Sequence, residues 1–340
     1  MTYSNLFPTI NKISAHGQIR LQAKDFKVTE LLDIELSNQG EHLWLYLEKI
    51  DSNTNWVAKQ LSNVCQVPQK NIGFAGQKDR HAITKQWFSI QLPKITDVDK
   101  IQKALPEEIS ILKSGIHHRK LKIGQLDGNK FCIRIKNIKG DKQQIEKNID
   151  LVKSHGVPNY FGEQRFGHDM GNIQKAGDWF TGNYKVKTRN LKSLLISTAR
   201  SHIFNLIIAK RIEHGIWDKS ITGDILQLNN SKSWFPETDA SSDEISQRLN
   251  EFDIHLTAAM WGEQSTQAKA DCASLETEIA NQFPKYKIGF EKFRLKQDRR
   301  AMRIVANNLQ YNWLDNDLEL SFELSSGSYA TSIIREILDS

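Results

Sequence analysis

The chain has 340 residues, 39% of them hydrophobic and 25% charged, which suffices for a substantial core and about two domains and is not the composition of a disordered segment. A net charge of +6 and an isoelectric point near 9.0 favour a polyanionic partner without establishing one. No run of 18 apolar residues offers a membrane-spanning helix. The start MTYSNLFPTINK lacks the pattern of a secretory signal, and Cys65, Cys132 and Cys272 are far apart, so a reducing compartment, the cytoplasm, is the expected location.

The predicted elements begin with His42–Lys49, where Leu43, Leu45 and Leu47 alternate with other residues as in a half-buried strand. The stretch NTNWVAKQLSNV follows with Trp56, Val57, Ala58, Leu61 and Val64 at helical spacing and Asn53 or Thr54 as its cap. Ile83–Leu92 and Lys130–Ile135 read as strands, the second with Phe131, Ile133 and Ile135 on one face. Lys142–Val152 reads as a helix running into the turn-rich HGVPNYFGEQRFG. From Lys187 to Ile212 one long helix carries two apolar stripes, one through Leu191, Leu195, Ala199, Ile203 and Leu206 and one through Ile196, Phe204, Ile208 and Ile212, which implies burial on two sides. Residues 229–253 are polar and acidic and are expected at the surface. Leu318, Leu320, Phe322 and Leu324 alternate as a strand, and Ser328 is placed to cap a short final helix. A strand-rich start, a helix-rich middle and a return to strand suggest one domain inserted in another.

The chemistry centres on GFAGQKDRHAITKQWF, where Asp79 stands between Lys78 and Arg80 in a glycine-containing turn. The stretch is not a Walker loop: two residues separate Gly73 from Gly76 where four are needed, and an acid follows the lysine. No Gly-x-Gly-x-x-Gly opens a helix, no Cys or His spacing suits a metal, and no strained serine elbow is present. An ionised carboxylate between two cations can act as nucleophile or base. The competing reading is a turn aspartate in solvated ion pairs. Two basic stretches add a second theme. KYKIGFEKFRLKQDRRAMR, residues 285–303, holds eight Lys or Arg against two acids, with Tyr286, Phe290 and Phe293 interleaved, and IHHRKLKIG, residues 116–124, is also basic. Cations beside aromatic rings are the footprint of RNA binding, with a solvated helix face as the alternative.

NIGFAGQKDRHAITKQWFSI resembles the signature of the tRNA pseudouridine synthase D family, TruD. So do DFKVTE (25–30), LKIGQLDGNKFCIRI (121–135), GVPNYFGEQRFG (156–167) and GSYATSIIRE (327–336), which occur in the family's order over nearly the whole chain. The resemblance implies an α+β fold: a pseudouridine synthase catalytic domain, with a mixed, mainly antiparallel sheet and flanking helices, and an inserted α/β TRUD domain. Mapped here, residues 1–154 and 303–340 are the catalytic domain and residues 155–302 the insertion. The implied activity is the isomerisation of uridine 13 of tRNA to pseudouridine, by a monomer, with tRNA as partner, no cofactor, no metal and no membrane. The alternatives are a pseudouridine synthase acting mainly on another RNA, or an RNA-binding or RNA-folding protein without catalysis.

On this resemblance the catalytic aspartate is Asp79, and the substrate-binding residues are Phe26, Asn129, Phe131 and Tyr329. Many members carry Phe where this chain has Tyr329, which keeps the ring and adds a hydroxyl. Lys78 or Arg80 supports the carboxylate or an adjacent phosphate, and Arg299, Arg300, Lys120 and Lys122 are expected along the tRNA backbone. Asp79 attacks C1′, removes the C2′ proton, or attacks C6 of the base; the sequence leaves these three open. Phe26, Phe131 and Tyr329 are the rings available to stack on an everted base, with core packing as the competing role, strongest for Phe131 on its apolar strand face.

Overall fold

The computed structural model describes residues 2–92, 97–231 and 233–340. In chain order a short helix α1 (Tyr3–Leu6) precedes β1 (His16–Gln18), β2 (Phe26–Leu31), β3 (His42–Ile50), α2 (Thr54–Val64), β4 (Ile72–Phe74), β5 (Ile83–Gln91), α3 (Val98–Ala104), β6 (Ile109–His117) and β7 (Gly128–Lys139). Next come α4 (Lys142–His155), β8 (Val157–Pro158), α5 (Gly171–Phe180), α6 (Arg189–Glu213), β9 (Ile225–Leu228), β10 (Trp234–Pro236), α7 (Ser242–Asn250) and β11 (Ile254–Met260). The chain closes with α8 (Ala270–Asn281), α9 (Pro284–Lys292), β12 (Asp298–Ala301), β13 (Arg303–Ile304), β14 (Asn307–Leu314), β15 (Asp317–Ser325) and α10 (Ala330–Arg335). No helix among the described residues is long and apolar enough to cross a membrane.

These elements form two compact units, one of residues 14–142, 306–330 and 338–340, the other of residues 1–13, 143–305 and 331–337. The first is built on a nine-stranded sheet of order β14-β15-β7-β2-β5-β3-β6, with β1 beside β7 and β4 beside β5. β2 and β5 run parallel while the other neighbours run antiparallel, so the fold is α+β with a mixed, mainly antiparallel sheet. Asn53 rather than Thr54 caps α2, accepting the Trp56 N–H at 2.8 Å. Val57, Ala58 and Leu61 of α2 then cover Leu43, Leu45, Leu47, Phe88 and Ile90. The expected half-buried β3 is covered on both sides where Trp44 packs with Leu36, Trp87 and Leu121, because the segments after β2 and β6 cross its other face.

The parallel pair decides which loops meet. Two parallel neighbours begin at the same end of a sheet. The segment entering β2, residues 19–25, and the loop entering β5, residues 75–82, therefore lie side by side, with Lys27 opposite Ile83.

The second unit carries the antiparallel sheet β10-β9-β11-β12, with the long α6 packed on β11, α5 and α8. Thr188 caps α6 by accepting the Leu191 N–H, and both expected stripes contribute to the core through Leu195, Ala199, Ile203, Phe204 and Ile208. The stretch 229–253 is not merely surface: it forms β10 and α7, whose Ile245 and Leu249 are buried. Residues 1–13, 143–154, 303–305 and 331–337, expected with the catalytic domain, belong to this unit. They hold one another and its strands. Asn148 donates to the carbonyls of Lys12 and Ile337, the Glu336 carboxylate accepts the N–H groups of Ile10 and Asn11, and β13 pairs with β8.

Candidate active site around Asp79

The Asp79 loop is held by two buried polar side chains, Thr54 at the start of α2 and Gln86 of β5. Thr54 Oγ1 accepts the Lys78 N–H at 2.9 Å and donates to Gln86 Oε1 at 2.9 Å. Gln86 Nε2 in turn donates to the Gly76 carbonyl at 3.1 Å. Gly73 is a glycine for packing rather than for ligand approach: a Cβ there would lie 2.3 Å from the Leu121 carbonyl oxygen.

Asp79 itself projects outward, with its side chain 50% exposed. Its cation is neither flanking base. Arg20, from the segment entering β2, places its guanidinium 3.2 Å from Asp79 Oδ2. Arg20 has φ of +60°, a left-handed conformation uncommon for a residue with a side chain. The same guanidinium lies over the Phe26 ring at 4.0 Å. One residue thus joins the carboxylate to the aromatic floor of the sheet.

Lys78 turns the other way. It is buried, and its Nζ donates to Glu30 Oε2 at 2.8 Å, while Glu30 Oε1 accepts the Trp87 N–H. The expected support of Asp79 by Lys78 is therefore corrected: the lysine neutralises a carboxylate with no exposed surface, and breaking such a buried pair would cost about 3–5 kcal/mol. Arg80 is exposed and makes no ion pair with Asp79 among the described residues.

Phe26 and Phe131 are 1% and 6% exposed. Their rings meet edge to face at 6.2 Å, and Phe131 stacks on Phe322 of β15 at 5.5 Å. Core packing is thus a real part of their role. Asn129 lies opposite Glu30 in the β2–β7 ladder, as Phe131 lies opposite Val28, and directly opposed residues share a face of the sheet. The Asn129 Oδ1 is buried without a hydrogen-bond partner, an acceptor left open on the face that carries Glu30 and Phe131. Tyr329 is 47% exposed, the one ring of the expected set open to solvent.

The loop before β7 is tied to the Asp79 loop, since the Gly124 N–H donates to the Ala75 carbonyl at 2.7 Å. Lys122 on that loop is exposed, and Lys120 reaches the Lys70 carbonyl. The structure thus brings Asp79, Phe26, Phe131 and Asn129 together around Arg20 and the Lys78–Glu30 pair. Sequence reading missed Arg20, Glu30 and Lys49. Glu30 and Lys49 had a signal, a charged residue in phase with the apolar side of its strand; Arg20 had none.

The second basic stretch departs from its expected role. Arg299 has a side chain with no exposed area, paired bidentately with Glu276 and bonded to Thr257. It is corrected from phosphate contact to internal ion pair, because the two-residue period of β12 turns it toward the core. Arg300 is part-buried, bonded to Asn159 Oδ1 at 2.7 Å and lying over Phe161 at 4.6 Å. Tyr286 and Phe290 are core residues, and Phe293 stacks on Trp179, so none of these rings is open to a base. A cavity of about 730 Å³ lies in this unit between residues 218–222 and α7 and includes none of the expected site residues.

The family model described as tRNA pseudouridine synthase D (TruD) matches residues 9–184 and 172–337. The chain belongs to this family. It is 41% identical over 322 residues to the tRNA pseudouridine synthase D of Hydrogenovibrio crunogenus, covering 94% of this chain and 92% of that one. It is 38% identical over 322 residues to the tRNA pseudouridine synthase D of Pseudomonas entomophila, covering 94% and 91%. Its fold matches a crystal structure from Methanosarcina mazei assigned as tRNA pseudouridine synthase D, with a TM-score of 0.80 at 22% identity over 99% of this chain and 98% of that one.

Proposed function

We propose that this protein isomerises a uridine of tRNA, at position 13, to pseudouridine, with Asp79 as the catalytic carboxylate. The pseudouridine synthase reaction itself follows from the family to which the chain belongs. It breaks the bond from ribose C1′ to uracil N1 and forms one from C1′ to C5; N1 gains a proton and C5 loses one. Nothing is oxidised and nothing leaves, so the chemistry asks for no cofactor. The observation that carries the assignment is the Arg20 bridge: one guanidinium holds a half-exposed carboxylate and caps the ring of Phe26.

In this reading the target nucleotide is drawn out of its stack at a cost of a few kcal/mol and held while the freed base turns. Tyr329 supplies an exposed ring, and stacking of this kind contributes about 1–3 kcal/mol per base. Phe26 and Phe131 form the floor beneath it. The open Oδ1 of Asn129 accepts from the uracil N–H or a ribose hydroxyl. Arg20 pairs with the Asp79 carboxylate and holds it in place in each of the three routes, attack at C1′, removal of the C2′ proton or attack at C6. Lys120 and Lys122 face the RNA backbone, and residues 155–302 serve as the inserted TRUD domain. The test is to incubate the protein with unmodified tRNA and map pseudouridine. Product at position 13 is expected; product only at another position, or none, would overturn the assignment.

A further inference from the structure

β3 alternates with a period of two, and Leu43, Leu45, Leu47 and Lys49 share one face. The three leucines are buried, and so is Lys49, which is 0% exposed. The ladder sets Lys49 opposite Thr84 of β5 and Ile109 of β6, inside the sheet rather than at its edge. A lysine in a phase otherwise filled by leucine is a burden on folding, since its charge loses water. Burial pushes its amino group down to about 8; the charge of Asp79 acts in the opposite sense, and Lys78 adds to the lowering.

The Nζ of this lysine makes two hydrogen bonds. It donates to the Asp79 main-chain carbonyl at 3.2 Å and to the Ser52 carbonyl. Ser52 belongs to the turn that leaves β3, and Asp79 to the loop that enters β5. Two residues after Ser52, Thr54 holds the Lys78 N–H. The Lys78 N–H and the Asp79 carbonyl are therefore held by two residues that flank the β3–α2 turn, Thr54 and Lys49. Among the described residues, the side chain of Asp79 is restrained by the part-exposed Arg20 pair.

We propose that Lys49 is a positioning residue for the isomerisation: its ammonium fixes the main chain of Asp79, and through it the height and direction of the carboxylate presented to the ribose. The proposal rests on Asp79 being the catalytic carboxylate. Lys49 neither touches the substrate nor exchanges a proton with it. Its effect is geometric, and a shift of about 1 Å in a reacting group is enough to lower a rate by about 10²-fold.

Lys49→Met keeps a long unbranched side chain and removes the donor. Single-turnover pseudouridine formation, tRNA affinity and thermal unfolding are measured for wild type, Asp79→Asn, Lys49→Met and Lys49→Arg. The expected result for Lys49→Met is a rate lower by about 10²-fold, unchanged tRNA affinity and a melting temperature no lower than wild type, with part of the rate returned by Lys49→Arg. A folded Lys49→Met with the wild-type rate, beside an inactive Asp79→Asn, overturns the role of Lys49 alone. A rate loss matched by an equal loss of affinity also overturns it. Should Lys49→Met fail to fold, Lys49→Leu takes its place, and failure of both to fold makes Lys49 a folding residue only. Inactive wild type, or an active Asp79→Asn, overturns the catalytic reading and this proposal with it.

Discussion

The stretches Lys78-Asp79-Arg80 and Asp298-Arg299-Arg300 read alike, each a carboxylate beside basic residues, and the fold treats them in opposite ways. In the first, a loop residue sends its carboxylate outward, 50% exposed, and borrows a cation from residue 20. In the second, a strand residue sends its guanidinium inward to Glu276, and both charges leave water. The base next to the acid pairs its charge elsewhere in each place, Lys78 with Glu30 and Arg299 with Glu276. A loop held by main-chain hydrogen bonds leaves its side chains to find partners across the surface, whereas a paired strand fixes the direction of each side chain by its period of two. Charge presented at the surface and charge inside a core are thus distinguished by backbone conformation, not by local composition.

The comparison can be broken most severely at Asp79. Asp79→Asn removes the outward charge at nearly constant shape; turnover on tRNA is expected to fall by at least about 10³-fold while the melting temperature and tRNA affinity hold. An active variant, read by single-turnover formation of pseudouridine, would remove the distinction on its functional side. Arg299→Ala should do the reverse. It leaves Glu276 buried without its partner, so urea unfolding should show a loss of about 3–5 kcal/mol. The salt dependence of tRNA affinity, measured near neutral pH on the folded fraction, should not change. The smallest effect is expected at Lys120 and Lys122, where paired substitution by alanine should weaken tRNA binding and reduce its salt slope by about one for each phosphate left without its lysine. An unchanged slope would place both lysines away from the RNA.

Much of the sheet unit was legible. The strands at 42–50, 83–91, 128–139 and 317–325 and the helix capped by Asn53 follow from period and capping residues. The same alternation that exposes a strand also marks Glu30 in phase with Phe26 and Val28, and Lys49 in phase with Leu43, Leu45 and Leu47. A period-two reading carried through those residues would have placed both on the buried face. It also explains Arg299, whose burial contradicts the view of residues 285–303 as a surface patch. Arg20 was illegible because its role depends on a loop far away in sequence, and its left-handed backbone leaves no residue-type signature when the residue is arginine. Each of the two compact units also draws on segments remote from one another in sequence. Buried hydrogen bonds join Asn11, Asn148 and Glu336 to distant segments of the chain, and no local pattern announces that such residues will meet.

By itself the amino-acid sequence determined the strands and helices with a clear period or cap, the family and the identity of the one acid between two bases, since period, capping and motif are properties of contiguous residues. Only the tertiary structure decided which charges meet. The parallel pairing of β2 with β5 brings Arg20 beside Asp79, the pleat turns Glu30 toward Lys78 and Lys49 beneath the loop, and neither event is encoded within reach of a single turn of chain. Ion pairs form between groups that the backbone has already brought within a few ångströms, and that proximity is set by the sheet.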